Sequence, residues 1–151
     1  MTELGSDSPK NIQWKRLLRN QGFRITAPRE AVIDTIAASQ RALDAAQIFK
    51  LARQNCSSLG LVSVYRTLEI LEKYKLVQRV HQSENCQAYI AGFEGHQHLL
   101  ICTGCGKTIF FDGDDMEFLF DRVAEESGYQ IKDHWLQLFG LCEDCKKAQE
   151  G

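Results

Sequence analysis

The chain has 151 residues, of which 44% are apolar and 25% charged, a composition typical of a globular protein and unlike that of a disordered one. Its net charge of −2 hides an asymmetry, because residues 1–92 hold thirteen basic and eight acidic side chains, whereas residues 93–151 hold five and twelve. No apolar run approaches the about 18–20 residues of a membrane span and no secretion signal is present, so we expect a cytoplasmic protein without a membrane partner.

The front half predicts several helices followed by a β-hairpin. Apolar side chains at helical spacing predict helices near residues 10–21, 26–39, 44–54 and 62–74. Thr26 and Asp44 are candidate N-caps, because their side chains can accept hydrogen bonds from the first turn. Two strand-like runs, 76–80 and 87–90, flank a turn-rich stretch. This outline predicts a winged helix–turn–helix domain over residues 1–92.

The back half predicts a compact α+β unit. Strands are expected near residues 98–101, 107–111 and 129–139, with a helix over 115–127 before the last strand. The glycine-containing stretch 92–95 is the best linker, and the charge balance changes sign there. We therefore predict an α+β chain with a second domain over residues 93–151.

Two Cys-x-x-Cys pairs lie in this back half. They are Cys102 with Cys105 and Cys142 with Cys145. In a reducing cytoplasm such cysteines are metal ligands or free thiols more often than disulfides. Four thiolates form the tetrahedral set typical of structural zinc, whereas a single pair would be equally typical of a redox motif. We predict a closed, non-catalytic zinc site that contributes folding energy to this domain.

Four histidines and one further cysteine lie between the hairpin and the last strand. They are His81, His96, His98, His134 and Cys86. His96 and His98 share a strand face with Cys102, so one ion could bind both imidazoles. A single histidine is more often a hydrogen-bonded surface or core group than a ligand, and the spacing alone leaves His134 open. Cys86, near His81 and the linker, is equally open, whereas Cys56 is expected to be a small buried side chain.

Four segments resemble motifs of the ferric uptake regulator family of bacterial metalloregulators. They are Gly22–Arg29, Val64–Leu68, His96–Gly106 and Phe139–Cys145, in that order along the chain. The resemblance implies a homodimer joined through the back domain, in which a regulatory metal fixes two winged helices in a pose that binds double-stranded DNA at an inverted repeat.

The resemblance also implies which side chains meet DNA. Tyr65 and Arg66, with Ser63, fall on the recognition helix, and Arg24 with the basic first two helices would lie against the phosphates. The full set of expected DNA-binding residues is Lys15, Arg19, Arg24, Arg29, Ser63, Tyr65 and Arg66.

Two regulatory metal sites are known in the family. The back-domain site would consist of His96, His98, Glu117 and His134, and this set is complete. At the hinge the chain departs from the family, because Gln97, Leu99 and Phe110 replace two histidines and a carboxylate. The hinge site is therefore absent or is rebuilt from His81, Cys86 and a histidine such as His96, with Asp112 a weaker candidate.

This departure affects which metal ion we expect the protein to sense. A thiolate ligand favours zinc over iron or manganese, so we expect the zinc uptake regulator branch, with zinc in the cysteine site and in at least one regulatory site. The alternatives are an iron-responsive regulator and, third, a peroxide-responsive one. Two hypotheses from other classes of protein stay open. One is a zinc hydrolase with Glu117 as general base, although the signature of zinc deaminases is missing. The other is a protein-interaction module that zinc stabilises.

Overall fold

The structure is a computed structural model, which describes residues 9–83, 86–92, 97–112, 116–134 and 136–151. The chain divides into two compact parts, Met1–Gly92 and Phe93–Gly151, named unit 1 and unit 2 below. Within the described ranges, no helix combines the length and apolar character needed to cross a bilayer.

The described part of unit 1 consists of four helices and a three-stranded antiparallel sheet. In chain order its elements are α1 (Pro9–Asn20), α2 (Ala27–Ala38), β1 (Leu43–Asp44), α3 (Ala45–Ala52), α4 (Leu61–Lys73), β2 (Val77–Ser83) and β3 (Cys86–Ala91). The strand order is β1-β3-β2, so the hairpin β2–β3 gains a short third strand from between two helices.

Both predicted N-caps are confirmed. The Thr26 hydroxyl accepts a hydrogen bond from the Arg29 N–H at 3.4 Å, at the start of α2. Asp44 accepts one from the Gln47 N–H at 2.8 Å, and the Gln47 side chain accepts from the Asp44 N–H at 2.9 Å. These contacts satisfy N–H groups that a helix start would otherwise leave without partners.

One apolar core holds the helices of unit 1 together. Its fully buried members include Leu18, Val32, Ile33, Ile36, Ile48, Val64, Leu68 and Leu71, and those of α4 recur at spacings of four and three residues. Each helix thus presents a single apolar stripe to the others, as the spacing predicted.

The end of α4 is joined closely to the hairpin. Lys75 adopts a left-handed conformation (φ 57°), which lets the Leu76 N–H reach the Leu71 carbonyl at 2.8 Å and terminates the helix. The Gly92 N–H then donates to the Leu76 carbonyl at 2.6 Å. A Cβ on Gly92 would lie 2.7 Å from the Lys75 carbonyl oxygen, so only glycine fits this approach.

An ion pair fixes the hairpin against α4. The Arg79 guanidinium in β2 donates two hydrogen bonds of 2.9 Å to the Glu72 carboxylate, and it lies 5.7 Å from the centre of the Tyr89 ring in β3. Two parallel N–H···O bonds restrict the relative orientation of both groups. The hairpin is therefore oriented by the last turn of α4.

Unit 2 has a second three-stranded sheet. Its described elements are β4 (Gln97–Cys102), β5 (Thr108–Asp112), α5 (Glu117–Ser127), β6 (Gln137–Gly140) and α6 (Glu143–Glu150). The strand order is β5-β4-β6, with β5 antiparallel and β6 parallel to the central strand β4. These elements confirm the mixed α and β class predicted for the chain.

Candidate metal sites and DNA-binding surface

The four cysteines of the two Cys-x-x-Cys pairs come together in unit 2. Their sulfur atoms all lie within 4.8 Å of one another. Cys102 ends β4 and is paired with Gly140 of the parallel strand β6, so both cysteine turns leave the same end of the sheet. Cys142 caps α6, which carries Cys145 in its first turn. This arrangement could hold one tetrahedral ion.

Backbone N–H groups polarise the buried sulfur of this cluster. Cys102 Sγ accepts hydrogen bonds from the Cys142 N–H at 3.3 Å and the Gly104 N–H at 3.4 Å. The bond from the Cys142 backbone is the main reason why the pKa of the Cys102 thiol is lowered to about 6. Hydrogen bonds with the Cys142 and Cys102 sulfurs raise the pKa of Cys145 to about 12.

The local backbone is fitted to the cluster. A Cβ on Gly104 would lie 2.9 Å from Cys145 Sγ, so the first turn needs glycine to approach the second pair. Cys105 Sγ and Cys142 Sγ are 3.8 Å apart, too far for a disulfide bond of about 2.05 Å. Four closely spaced, unbridged sulfurs are the donor set that suits zinc.

Two of the four expected back-domain ligands also approach each other. The ring centres of His98 in β4 and His134 are 5.2 Å apart, and His98 is only 4% exposed. Glu117 begins α5 and lines, with His134, an open cleft of about 940 Å³. Among the residues that the structure describes, however, Glu117 does not form a ligand group of three with the two histidines.

The remaining expected ligands are only partly visible. His96 lies outside the described residues. His81 and Cys86 occupy the two strands of the hairpin in unit 1, where the backbone of His81 pairs with Gln87 and that of Cys86 with Ser83. The hinge site, which would combine residues of both units, stays a prediction.

The outward face of α4 combines apolar and basic side chains. Tyr65 is 50% exposed, and Arg66 beside it is also exposed, as expected of a recognition helix. Ser63, in the first turn of α4, is half-buried. Leu61 and Val62, which the sequence analysis did not single out, are 45% and 63% exposed. Both lie off the stripe formed by the buried side chains of α4, and this offset could have identified them as exposed from the sequence.

The loop before α2 presents one arginine and uses another as a brace. Arg24 is exposed. The Arg29 guanidinium instead turns back to donate to the Arg24 carbonyl at 2.6 Å and lies 5.9 Å from the centre of the Phe23 ring. Phe23 in turn contacts Tyr74, at the end of α4, edge-to-face with 5.8 Å between the ring centres. The loop is thereby held against the helix that carries Tyr65.

Lys15 is buried between two helices, where its ammonium group does not face a surface that phosphates could reach. Its side chain is 7% exposed, and its ammonium group contacts Glu30 at 2.8 Å and Asp34 at 3.0 Å. Asn11 donates a further hydrogen bond to Asp34 at 2.8 Å. Lys15 therefore joins α1 to α2 and is not retained in the proposed DNA surface, whereas Arg19 on the same helix is exposed.

Comparison with protein families gives a match over most of the chain. The ferric uptake regulator family matches residues 20–139. The ferric uptake regulation protein of Campylobacter jejuni is 30% identical over 139 residues, which cover 91% of this chain and 88% of the relative.

Solved structures show the same fold. The Helicobacter pylori ferric uptake regulator matches with a TM-score of 0.69 at 24% identity, over 97% of both chains. A zinc uptake regulator complexed with zinc and DNA matches with a TM-score of 0.71 at 20% identity, over 96% of this chain and all of the other. These identities support a common architecture and leave the metal undecided.

Proposed function

Because the chain belongs to the ferric uptake regulator family, we propose that it is a cytoplasmic, zinc-responsive repressor that binds operator DNA as a metal-loaded homodimer and represses zinc-uptake genes. Members of this family are metal-responsive transcription regulators and not enzymes, so the hydrolase hypothesis is set aside. The metal, the assembly and the regulated genes are the parts of this proposal that go beyond family membership.

The observation that carries the proposal is the presence of two separate groups of potential metal ligands in unit 2. The four cysteines suit a permanent structural zinc, since they form a closed sulfur set. His98 and His134 lie apart from that set and offer imidazoles for a second, exchangeable ion. A protein that needs one ion to fold can thus respond to another without unfolding.

The choice of zinc rests on ligand chemistry. Phe110 stands in β5 where the family's hinge site uses a carboxylate, and a thiolate ligand such as Cys86 in its place would favour zinc over iron. The alternative is an iron-responsive regulator, which the names of relatives such as the Campylobacter jejuni protein favour. A peroxide-responsive regulator remains the third possibility.

The assembly is supported by the apolar surface of unit 2. Helix α5 buries none of its side chains, and Phe118 on it is 78% exposed. The other exposed large apolar side chains of this unit are Ile109, Phe110, Leu119, Val123, Tyr129, Ile131, Leu138 and Phe139. Such an excess of exposed apolar side chains is typical of a subunit interface. We propose that a second copy covers it.

The proposed mechanism is a metal-dependent change in the relative orientation of the two DNA-binding domains of the dimer. Two α4 helices can enter successive major grooves only if they are separated by about one helical turn of DNA, roughly 34–36 Å. Regulatory zinc would favour that pose, and by linkage DNA must tighten zinc binding by the same factor. Arg24 and Arg19 would supply salt-dependent phosphate contacts.

The test is DNA binding at buffered free metal. A duplex selected from a random pool by the zinc-loaded protein would be titrated at fixed free Zn²⁺, Fe²⁺ or Mn²⁺. We expect DNA binding to reach half-saturation at a far lower free concentration of Zn²⁺ than of Fe²⁺ or Mn²⁺. At the free concentrations found in cells, the other two ions should not support binding. His134→Ala should weaken this metal response with the cysteine site still filled. Asp121→Asn, which changes the same cleft, is the matched control.

Two outcomes would contradict parts of the proposal. Equal DNA affinity with and without exchangeable metal would remove metal control altogether. A response to Fe²⁺ alone would replace zinc by iron. For the assembly, Phe118→Glu should produce monomers in sedimentation velocity, whereas Leu51→Glu, at an exposed apolar position of unit 1, should leave dimers. Dimers in both variants would place the interface elsewhere.

A further inference from the structure

The N-terminal tip of α4 exposes apolar side chains that the fold of unit 1 does not bury. Five large apolar residues of the described part of this unit are exposed, and three of them are Leu61, Val62 and Tyr65. The other two, Ile12 and Leu51, are isolated on α1 and α3. Single exposed apolar residues are ordinary, but a cluster of three within five positions indicates a contact surface.

The cluster shares its helix face with a basic side chain. At 3.6 residues per turn, positions 61, 62, 65 and 66 fall within about 140° of one another. Val64, Leu68 and Leu71 occupy the opposite, buried side. The exposed face therefore offers apolar groups and the Arg66 guanidinium together, a combination that fits a partner with both apolar groups and negative charge.

Among the described residues of unit 1, none covers the start of this tip. The N-cap residue of α4 is Gly60, so no side chain caps the helix. A Cβ placed on Gly60 would have no heavy atom within 4 Å. The tip is therefore open for close approach. Glu69, one turn further along the same face, is also exposed, and its carboxylate would repel phosphates. The contact is thus confined to the first turns of the helix.

We propose that Val62 is a specificity-determining residue that contacts the C5 methyl group of thymine in the major groove of the operator. This inference rests on the proposed DNA-binding function. The first residues of a recognition helix reach base edges, and thymine is the base that presents an apolar group there. The valine side chain has no donor or acceptor, so it can read a methyl group but neither a phosphate nor the polar edge of another base.

The experiment removes the methyl group and the side chain separately. Thymines of the selected duplex are replaced one position at a time, on both strands of each half-site, by deoxyuridine, which lacks only the C5 methyl. For the wild-type protein we expect affinity to fall about fourfold per methyl at the contacted position. Because both subunits of the dimer carry the change, Val62→Ala should bind the thymine duplex about 16-fold more weakly and should no longer distinguish the two bases there.

Leu51→Ala is the matched control, because it shortens an apolar side chain that is similarly exposed but lies on α3. It should keep the full discrimination between thymine and deoxyuridine. Val62 is 63% exposed, so its truncation should leave the melting temperature unchanged, which circular dichroism checks.

The outcomes separate this inference from the proposed function. If the wild-type protein binds no duplex selectively, the proposed function itself fails. Two results would overturn the inference alone: selective binding that tolerates deoxyuridine at every position, or wild-type discrimination in Val62→Ala. In either case Val62 does not contact a thymine methyl group, while the proposed DNA-binding function is unaffected. Unchanged DNA affinity in Val62→Ala would likewise overturn the inference and would point to a protein partner for this tip.

Discussion

The Arg29 guanidinium donates a hydrogen bond of 2.6 Å to the backbone carbonyl of Arg24. One arginine of this loop is therefore used to shape the backbone that presents the other. Arg29 is half-buried, and Arg24 is exposed. Both were expected from the sequence to contact DNA, but their surroundings suggest two different contributions.

A double-mutant cycle distinguishes these contributions. Arg24→Ala should weaken DNA binding and lower the slope of log affinity against log salt by about 1.8, as expected for one lost phosphate contact in each subunit of the dimer. Arg29→Ala should weaken binding because the loop relaxes, yet it should cost little more once Arg24 is already alanine. Fluorescence anisotropy at several salt concentrations measures both effects. Fully additive losses would show that Arg29 contacts DNA itself.

Lys15 should affect stability more than DNA binding. Burial alone would lower the pKa of its ammonium group, but hydrogen bonds to Glu30 and Asp34 outweigh this and raise the pKa above 10.5. Lys15→Met keeps the apolar stem and removes the ion pairs. It should reduce the free energy of unfolding by about 0.5–1 kcal/mol, because the two half-exposed carboxylates lose their partner but stay hydrated by water.

The same pKa shift fixes the pH range of this effect. Because the folded-state pKa is raised, the stabilisation by Lys15 is complete below pH 10.5 and is lost as the pH rises through the folded value. Denaturant unfolding of wild type and Lys15→Met should therefore converge in strongly alkaline buffer. An unchanged salt slope for DNA binding would confirm that Lys15 makes no phosphate contact, and a lower slope would restore it to the DNA surface.

Acid should release zinc from the cysteine site. Zinc binds the thiolate, and the pKa of Cys102 is lowered to about 6 by the Cys142 backbone N–H. A lowered pKa stabilises the folded apo protein, and this contribution is complete above the ordinary thiol value near 9 and is lost as the pH falls through 6. Competition with a chromophoric chelator should show zinc affinity falling throughout as the pH is lowered, because the other thiols take up protons first, and falling most steeply below about pH 6, where Cys102 is protonated as well. Constant affinity down to about pH 5 would contradict this expectation.

Gly104 should be essential for the geometry of the cysteine cluster. Gly104→Ala places a Cβ 2.9 Å from Cys145 Sγ, so the second sulfur pair must shift, and zinc affinity should fall by about tenfold or more. Gly140→Ala is the control from the neighbouring strand, where an added Cβ meets nothing within 4 Å. Equal zinc affinity in both variants would show that the first turn adapts easily.

Local signals in the sequence were sufficient for most elements. Thr26 and Asp44 start their helices because their side chains accept hydrogen bonds within three residues, which is visible in the sequence. The two Cys-x-x-Cys pairs also come together as predicted, although that prediction came from the sulfur chemistry of zinc and not from a local signal. The hairpin strands proved longer than predicted, because Ser83, assigned to the turn, still pairs with Cys86 across it.

Elements that depend on distant partners were missed. The predicted strand over 129–139 begins only at Gln137, where the parallel pairing with Leu99 starts, because a strand needs a neighbour as well as a pattern. The two-residue strand at Leu43 exists only through its pairing with Tyr89. The ion pairs of Lys15 could not be predicted for a similar reason, since its charge was visible in the sequence but the carboxylates that face it were not.

The parallel pairing of β4 with β6 also governs the order of events during synthesis. The central strand of unit 2 is made early, but one of its two neighbours and half of its sulfur ligands follow about 40 residues later. Unit 1 can therefore fold on the ribosome while unit 2 waits for the segment through Cys145 to emerge. During that interval Cys102 and Cys105 lack the second pair of thiols, so we expect them to be more open to oxidants and competing metals than in the folded protein.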